Sequence, residues 1–496
     1  MILTFDVGTT AIKTSLFRRD LSLAASRTDE YDLLTGDSLV ELQPDTYWET
    51  MRRAVQALAA EAPIDQVQAI CLTTQGETMI PVDETGTALH NAVVWLDNRA
   101  EAQAAQIRQT VDAGQLYHLT GVTDMNGYVP LAKLLWFRQE RPELYGKTYK
   151  FLLLEDYLLQ KLTGAFVTEK SLLTSTAWYD IRHDRYWTEL LEKLELSEEK
   201  LPRILDCGAL VGTVTAGAAK AFGLKENVQV FAGAMDQIAA AIGGGGLQDG
   251  VVTATVGTAM VLTAALDSMD GCTDDRLIVY RGYRSDQYVL LPLCNTAGAV
   301  FKWYKDQVCR DTVNLCRESG EDVYDVLCRE ADQVPPGARG VTVIPYFAGS
   351  IQPKLLPQAK GIFFGLDLTT DRKCMTRAVL ESVGYMLREN LQMLESFGKR
   401  PRRVHFFGGG SKNPVWNQII SDITGTELVL LEQSECGSLG AAMLCSVSLG
   451  WYDTLAAAQK RNTVRQVITP NPNNAYEEGY RRYIKLFQAV EPMFEN

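Results

Sequence analysis

Residues 2–17 read ILTFDVGTTAIKTSLF, an apolar run ending in an aspartate, then a Gly-Thr-Thr turn and a second apolar run. Residues 251–265, VVTATVGTAMVLTAA, repeat the two apolar runs and the Gly-Thr turn half a chain length later, with Thr255 in place of Asp6 and Ala259 in place of Thr10. Two β-rich runs joined by a tight glycine-containing loop predict a β-hairpin. The shared identity is short, so the repeat is compatible with chance as well as with a diverged duplication. Strands and helices alternate in both halves, which predicts an α/β protein of two similar domains.

Segments between the two hairpins have helical or buried-strand patterns. Thr46 and Glu49 predict a capping box at the start of a helix. Residues 130–164 have apolar residues at helical spacing and are predicted to be helical. Short apolar runs predict buried strands at 67–72, 92–95 and 228–232.

Composition narrows the function classes. The chain has 496 residues, of which 46% are hydrophobic and 22% charged, an ordinary profile for a globular protein of two or three domains. A net charge of −13 argues against a nucleic-acid partner, because such proteins usually carry a basic surface. No apolar run approaches ~18–20 residues, so we expect no membrane span. The first residues are typical of a strand and a turn rather than of a signal peptide.

Cysteine and histidine usage also carries information. The ten cysteines form no CxxC pair, and the four histidines are far apart in the sequence. We therefore expect no zinc site. Many free thiols suit a reducing compartment, so we expect a cytoplasmic protein.

Three glycine-containing loops are candidates for phosphate binding. The two hairpin tips bring backbone N–H groups within reach of a phosphate, because glycine lacks a Cβ. The third is GGGS at 408–411, between an apolar strand and a helix predicted to begin at Pro414. A strand, a glycine turn and a helix N-terminus form an anion- or nucleotide-binding arrangement, although this one matches neither a P-loop nor GxGxxG. Asp6 precedes the first tip and is either a Mg²⁺ ligand or a solvated hairpin aspartate.

Residues 233–246, GAMDQIAAAIGGGG, contain one charge, Asp236. Phosphoryl transfer to an alcohol requires a carboxylate within hydrogen-bond reach of the hydroxyl group, which is one interpretation of Asp236. The alternative is a carboxylate that caps the N-terminus of the following helix. The four glycines, Gly243 to Gly246, are either a hinge or a plain tight loop.

Further motifs carry a resemblance to a known family. YVPLAKLLW at 128–136 and GIFFGL at 361–366, followed by RAVLE at 377–381, are similar to two signatures of the FGGY family of carbohydrate kinases. With the D-x-G-T-T, D-Q and G-G-G-x-x-N segments, the resemblance covers nearly the whole chain. It implies two actin-like, ribonuclease-H-like domains with an interdomain cleft. It implies a sugar-binding domain at 1–246 and an ATP-binding domain at 247–496.

The resemblance also implies roles for individual residues. Asp236 would be the catalytic base, with Gln237 beside it at the substrate, and Asp6 would support Mg²⁺. Thr9 and Thr10 would face the γ-phosphate. The implied cofactors are ATP and Mg²⁺. Besides Thr9 and Thr10, ATP would contact Gly257, Thr258, Gly298, Gly409 and Gly410, and Asn413 would lie beside the adenine. The resemblance is compatible with a homodimer.

The substrate is predicted from residues 73–79, TTQGETM, and from the end of the next strand. Gln75 and Glu77 follow a buried strand, where an α/β sheet usually exposes ligand contacts. Trp95 offers an apolar face to a sugar, or else packs in the core. Arg99 offers a guanidinium to sugar hydroxyls, or else is a surface charge.

The family pattern divides at this point. Xylulokinases typically carry Q-M-H-G here and glycerol kinases Q-R-E-T, whereas this chain has Gln75-Gly76-Glu77-Thr78. Loss of the arginine leaves room for a substrate larger than glycerol, so we expect a pentulose of the xylulose type. The alternatives are a polyol or sugar acid of the glycerol, erythritol or gluconate type. Outside the enzyme class, an actin-like ATPase module and a sugar sensor are the competing hypotheses.

Overall fold

The computed structural model describes residues 1–36, 38–248, 250–270, 275–399, 401–471 and 473–494. The strands are β1 Ile2–Val7, β2 Ala11–Phe17, β3 Leu23–Glu30, β4 Leu34–Thr35, β5 Val40–Leu42, β6 Ala69–Thr74, β7 Met79–Val82, β8 Ala92–Val93, β9 Lys150–Leu153, β10 Val167–Glu169, β11 Tyr179–Asp180, β12 Arg185–Tyr186, β13 Arg203–Leu205, β14 Leu210–Thr213, β15 Gln229–Phe231, β16 Val252–Val256, β17 Met260–Leu266, β18 Val279–Arg281, β19 Tyr288–Leu290, β20 Leu293–Cys294, β21 Thr342–Ile344, β22 Ile362–Phe364, β23 Arg403–Phe407, β24 Glu427–Leu431 and β25 Val464–Ile468.

The helices alternate with these strands, which confirms the predicted α/β class. They are α1 Pro44–Leu58, α2 Glu101–Thr110, α3 Ala113–Thr120, α4 Pro130–Glu140, α5 Pro142–Lys147, α6 Leu154–Thr163, α7 Lys170–Leu173, α8 Thr188–Lys193, α9 Ala216–Phe222, α10 Asp236–Gly243, α11 Gly298–Val308, α12 Arg310–Ser319, α13 Val323–Ala331, α14 Arg372–Ser396, α15 Pro414–Thr424, α16 Cys436–Ser448, α17 Leu455–Gln459 and α18 Asn474–Val490.

The chain divides into two compact units, and neither is a single continuous segment. The first unit comprises Met1–Gly245, Leu266–Val289 and Glu435–Arg461. The second comprises the remaining three segments, Gly246–Ala265, Leu290–Ser434 and Asn462–Asn496. The chain first passes between the units within the predicted glycine run, and two later segments return to the first unit.

The first unit is built on a six-stranded sheet in the order β14-β15-β6-β1-β2-β3. The central strand β1 pairs antiparallel with β2 and parallel with β6, and β6 pairs parallel with β15. Parallel strands end at the same edge of a sheet, so the segments that follow β1, β6 and β15 meet there. These segments begin at Gly8, Gln75 and Ala232.

The second unit repeats this pairing. Its central strand β16 pairs antiparallel with β17 and parallel with β23, and β23 pairs parallel with β24. The two predicted hairpins therefore occupy equivalent places in two sheets, which favours duplication over chance.

Two secondary-structure predictions were wrong in detail. Thr46 lies inside α1, whose first residue is Pro44 and whose N-cap residue Gln43 makes no side-chain capping bond, so there is no capping box. Proline is favoured at a first helical position because its missing N–H would be unpaired there anyway. Residues 130–164 were predicted to be helical throughout, but Lys150–Leu153 form strand β9, which pairs with β7. Helix α6 begins directly after this strand.

The helices of the described ranges include none that combines the length and the apolar character needed to cross a membrane.

Candidate active site

The loop before Asp236 lies tightly against strand β6. A methyl group on Gly233 would collide with the backbone carbonyl oxygen of Leu72, so only glycine fits there. The N–H of Gly233 donates a 2.8 Å hydrogen bond to the buried carboxylate of Glu155. Backbone packing and this hydrogen bond therefore fix the conformation of the segment that leads into Asp236.

Two further hydrogen bonds hold the same loop. The Thr73 hydroxyl, at the end of β6, donates to the Ala234 carbonyl at 2.7 Å. The N–H of Met235 donates at 3.0 Å to the hydroxyl of Ser171, which itself donates to Glu169. Each group is buried, where an unpaired polar atom is costly, so these bonds define one loop conformation.

Asp236 is the first residue of α10, and the N-cap position belongs to Met235. Asp236 is therefore not the N-cap residue. Burial raises its pKa to about 7, and the negative charges of Asp6 and Glu77 act in the same direction. The N–H of Gln237 bonds to this carboxylate and partly opposes the rise. An aspartate with a pKa near neutrality is suited to accept a proton.

Asp6 lies at the end of β1 in a similar environment. Burial raises its pKa to about 6, while Lys13 lowers it. Lys13 forms an ion pair with Glu435. A methyl group on Gly437, at the start of α16, would collide with the Asp6 carboxylate, so this glycine makes room for Asp6.

The first hairpin tip is bonded to two predicted substrate residues. The Thr9 hydroxyl donates to Gln75 and accepts from the indole N–H of Trp95, both at 2.9 Å. The amide of Gln75 also donates to the hydroxyl of Tyr47. Thr10 is exposed at the tip. The structure thus brings Thr9, Gln75 and Trp95 together and leaves Thr10 open to solvent.

Glu77 has a left-handed backbone conformation, with φ of 71°. This backbone conformation is uncommon for residues other than glycine, asparagine and aspartate, and the exceptions are found disproportionately at functional sites. Burial raises the pKa of Glu77, and the positive charge of Lys133 opposes the rise. Lys133 is fully buried and donates a 2.9 Å hydrogen bond to the Val94 carbonyl, next to Trp95.

Arg99 is held by two carboxylates rather than exposed on the surface. Its guanidinium lies 2.7 Å from Asp97 and 2.6 Å from Glu41, and only 6% of its side chain is accessible. Asp97 also accepts from the Val40 N–H at 2.6 Å. These bonds fix the loop after β8, which carries Trp95.

The predicted nucleotide residues of the second unit line one cavity of about 760 Å³. Gly257 and Gly409 have no close neighbours where a side chain would project. Gly298 is the first residue of α11, and its N–H donates to the Gly257 carbonyl at 2.9 Å. The lining contains all six residues predicted for it: Gly257, Thr258, Gly298, Gly409, Gly410 and Asn413.

Asn413 caps the N-terminus of α15. Its side-chain oxygen accepts from the N–H groups of Val415 and Trp416, and its amide donates to Asp325 at 2.7 Å. Aromatic residues of α11, α13 and α15 complete the cavity lining, and sequence reasoning missed them: Phe301, Trp303, Tyr324 and Trp416.

The donor set suits Mg²⁺ rather than a metal held by protein alone. Within the described ranges, no group of three or more histidine, cysteine, aspartate or glutamate side chains is placed to hold a metal ion. Mg²⁺ typically needs one or two carboxylates and completes its shell with water and phosphate oxygens. Asp6, a buried carboxylate with a raised pKa, fits that requirement because a cation would stabilise its charged form.

Comparison with known proteins defines the class. The N-terminal domain of the FGGY family of carbohydrate kinases matches residues 1–243, and the C-terminal domain matches residues 252–449. The chain therefore belongs to the FGGY family of carbohydrate kinases. It is an ATP-dependent phosphotransferase that acts on an alcohol group.

Individual relatives differ in the sugar they are named for. A gluconokinase from Bacillus subtilis (strain 168) is 26% identical over 497 residues, covering 100% of this chain and 96% of the relative. A xylulose kinase from the same strain is also 26% identical over 497 residues, covering 99% and 96%. The structure of a ligand-bound xylulose kinase from Lactobacillus acidophilus aligns with a TM-score of 0.90 at 24% identity, covering 100% and 99%. This last likeness confirms the predicted actin-like fold.

Proposed function

We propose that the protein transfers the γ-phosphoryl group of ATP to a hydroxyl of a neutral pentulose of the xylulose type. The observation that carries this choice is the charge around Asp236, whose pKa is raised by burial and by the nearby carboxylates of Asp6 and Glu77. A sugar acid would add a further negative charge to the carboxylates of Asp236, Asp6 and Glu77, which is unfavourable at low dielectric. A neutral polyhydroxy substrate avoids that cost.

In the proposed reaction, Asp236 accepts the proton of the attacking hydroxyl. A bond forms between that oxygen and the γ-phosphorus, the bond to the β,γ-bridging oxygen breaks, and ADP leaves. Gln75, Glu77, Trp95, Arg99 and Gln237 are the proposed substrate-site residues. We assign Arg99 a positioning role, since its Nη2 is bonded to both Asp97 and Glu41 and its Nε to Asp97.

ATP is proposed to bind the cavity of the second unit. Gly257, Thr258, Gly298, Gly409 and Gly410 would let the phosphates come close to the backbone, and Asn413 would lie beside the adenine. This is supported by the open space in front of Gly257 and Gly409. Thr10 and the backbone of Thr9 would contact the γ-phosphate, because the Thr9 hydroxyl is already bonded. Asp6 would hold Mg²⁺, which neutralises phosphate charge when bound.

The cytoplasm is the proposed compartment. The nine cysteines of the described ranges are thiols rather than disulfide-bonded, which suits a reducing environment. A homodimer is compatible with the family resemblance, and light scattering measures the assembly state.

A sugar-acid kinase is the second candidate, because the gluconokinase relative is as similar to this chain as the xylulose kinase. ADP release should be measured with xylulose, ribulose, erythritol, glycerol and gluconate. We expect the highest kcat/KM with xylulose. A higher value with gluconate would refute the neutral-substrate proposal and establish the sugar-acid alternative.

A further inference from the structure

A segment from the second half of the sequence forms part of the first unit. In the described part of this segment, the Leu277 carbonyl accepts a 3.0 Å hydrogen bond from the Tyr117 hydroxyl. The Val279 N–H donates to the Gly121 carbonyl at 3.1 Å. Gly121, with φ of 72°, also leaves room for the Val279 carbonyl, which a methyl group would hit. Residues 277–281 are thus fixed on the first unit.

Arg281 anchors the end of this segment. Its N–H donates to the Thr174 hydroxyl at 2.9 Å, and its guanidinium lies 2.8 Å from the Asp184 carboxylate. Arg281 is 4% exposed, and a buried, charge-assisted pair of this kind fixes geometry well. Tyr280, between these anchors, is therefore held in one position and is itself buried.

Tyr280 lies next to the proposed substrate residues. Burial raises the pKa of Tyr280, and the charges of Glu77 and Asp236 act in the same direction. The neighbouring Arg281 N–H is bonded to Thr174, so Tyr280 lies beside the turn that carries Ser175. The sequence alone could not show that Tyr280 lies near Glu77, because the two residues are far apart along the chain and belong to different segments of the first unit.

Ser175 supplies the second observation. It is 8% exposed, and its hydroxyl oxygen has no partner at hydrogen-bond geometry among the residues that the structure describes. It nevertheless lies close enough to Glu77 and Tyr280 to lower the pKa of both. A methyl group on Gly76 would be 3.6 Å from this oxygen. A buried hydroxyl without a partner is costly, and a ligand hydroxyl would satisfy it.

We propose that Ser175 and Tyr280 determine specificity by forming, beside Gly76, a subsite for the sugar hydroxyl remote from the phosphorylated carbon. A hydroxyl both donates and accepts, so it complements the serine and tyrosine hydroxyls. The missing side chain of Gly76 leaves space for it. Asp236 is proposed to take the hydroxyl that is phosphorylated, which leaves the Ser175 and Tyr280 hydroxyls for the far end of the sugar. This inference rests on the proposed function.

The test compares two variants on two sugars. Ser175→Ala and Tyr280→Phe are each assayed with xylulose and with its deoxy analogue that lacks the terminal hydroxyl remote from the phosphorylated carbon. Loss of one hydrogen bond to a sugar hydroxyl should lower kcat/KM for xylulose about three- to tenfold. The same variants should change kcat/KM for the deoxy analogue by less than about twofold. Ser446→Ala is the matched control, because that buried hydroxyl donates within its own helix, to Met443.

The outcomes separate the subsite from the kinase activity. If the variants lose kcat/KM equally on both sugars, or lose it on neither, the subsite proposal is overturned. The proposed function still stands in that case if the wild type phosphorylates the sugar. If the wild type prefers another sugar of the panel, that sugar and its terminal deoxy analogue replace xylulose. If the wild type releases no sugar-dependent ADP with any of them, the proposed function itself is refuted.

Discussion

The carboxylate of Asp236 stands at the start of α10, on a loop that Gly233, Thr73 and Ser171 hold by backbone packing and hydrogen bonds. Its position after an apolar strand was predictable from the sequence, since it is the one charge in an apolar and glycine-rich stretch. Ser175 and Tyr280 were not predictable, because their relevance depends on folding distant segments together. The local sequence pattern identifies an isolated carboxylate between an apolar strand and a glycine run, but it does not identify the residues that surround this carboxylate.

A pH dependence follows at the residue scale. Asp236 must be deprotonated to accept a proton, and its pKa is raised to about 7. We therefore expect kcat/KM to rise as pH increases through about 7 and to level off above it. Glu77→Gln removes a negative charge that raises this pKa, so the midpoint should move to lower pH.

The measurement is a pH–rate profile for wild type and Glu77→Gln at saturating ATP. Glu389→Gln, in the second unit, is the control and should leave the midpoint unchanged. An unshifted midpoint in Glu77→Gln would contradict the electrostatic coupling between Glu77 and Asp236.

At the scale of elements, the structure contains the two hairpins and the glycine turn after β23 at the positions predicted from the sequence. Apolar runs and glycine turns are local signals, so the sequence alone was enough to predict these elements. The glycine run that begins with Gly243, the last residue of α10, has a structural reason that no local sequence pattern reveals. A methyl group on Gly243 would collide with the Cys436 carbonyl of α16, and one on Gly440 would collide with the Ala239 carbonyl of α10. Close helix packing thus explains at least Gly243.

This packing predicts the cost of a single methyl group. Gly243→Ala should destabilise the protein by about 1–3 kcal/mol, the usual range for overpacking. Gly146→Ala, in α5, meets nothing within 4 Å and should be neutral or stabilising by up to about 1 kcal/mol. Urea unfolding of both variants measures the difference. Equal midpoints for the two variants would show that α10 and α16 do not need glycine.

The glycine loops of the second unit carry a separate prediction. Gly409→Val should weaken ATP binding far more than sugar binding, because the new side chain enters the cavity rather than the core. Its thermal midpoint without ligand should stay near that of wild type. Nucleotide titration by calorimetry tests this, and overlapping isotherms for variant and wild type would mean that the loop is only structural.

At the scale of the whole molecule, each compact unit is built from three separate segments of the chain rather than from one contiguous half of the sequence. Helix α16 belongs to the first unit and packs on α10, β1, β2 and β6, although it lies near the C-terminus. Sequence patterns assign residues to elements but not elements to units, because long-range pairing leaves no local signal. The return of residues 266–289 and 435–461 to the first unit was not readable from the sequence.

A truncation follows from this composition. The fragment 1–246 should not fold cooperatively, because removal of α16 exposes the apolar surfaces of α10 and β6 to water. The same fragment with residues 435–461 joined by a flexible linker should recover part of its structure. Circular dichroism during thermal unfolding measures both. A cooperative transition in the shorter fragment would contradict the assignment of α16 to the first unit.

Sugar-dependent ADP release by Asp236→Ala, measured beside wild type, tests the central claim most directly. ATP binding to the same variant, measured by calorimetry, serves as the control. The variant should lose sugar phosphorylation and retain ATP binding close to that of wild type, because the carboxylate acts on the sugar hydroxyl and not on the nucleotide. Near-normal sugar-dependent turnover in Asp236→Ala would contradict the assignment of Asp236 as the base.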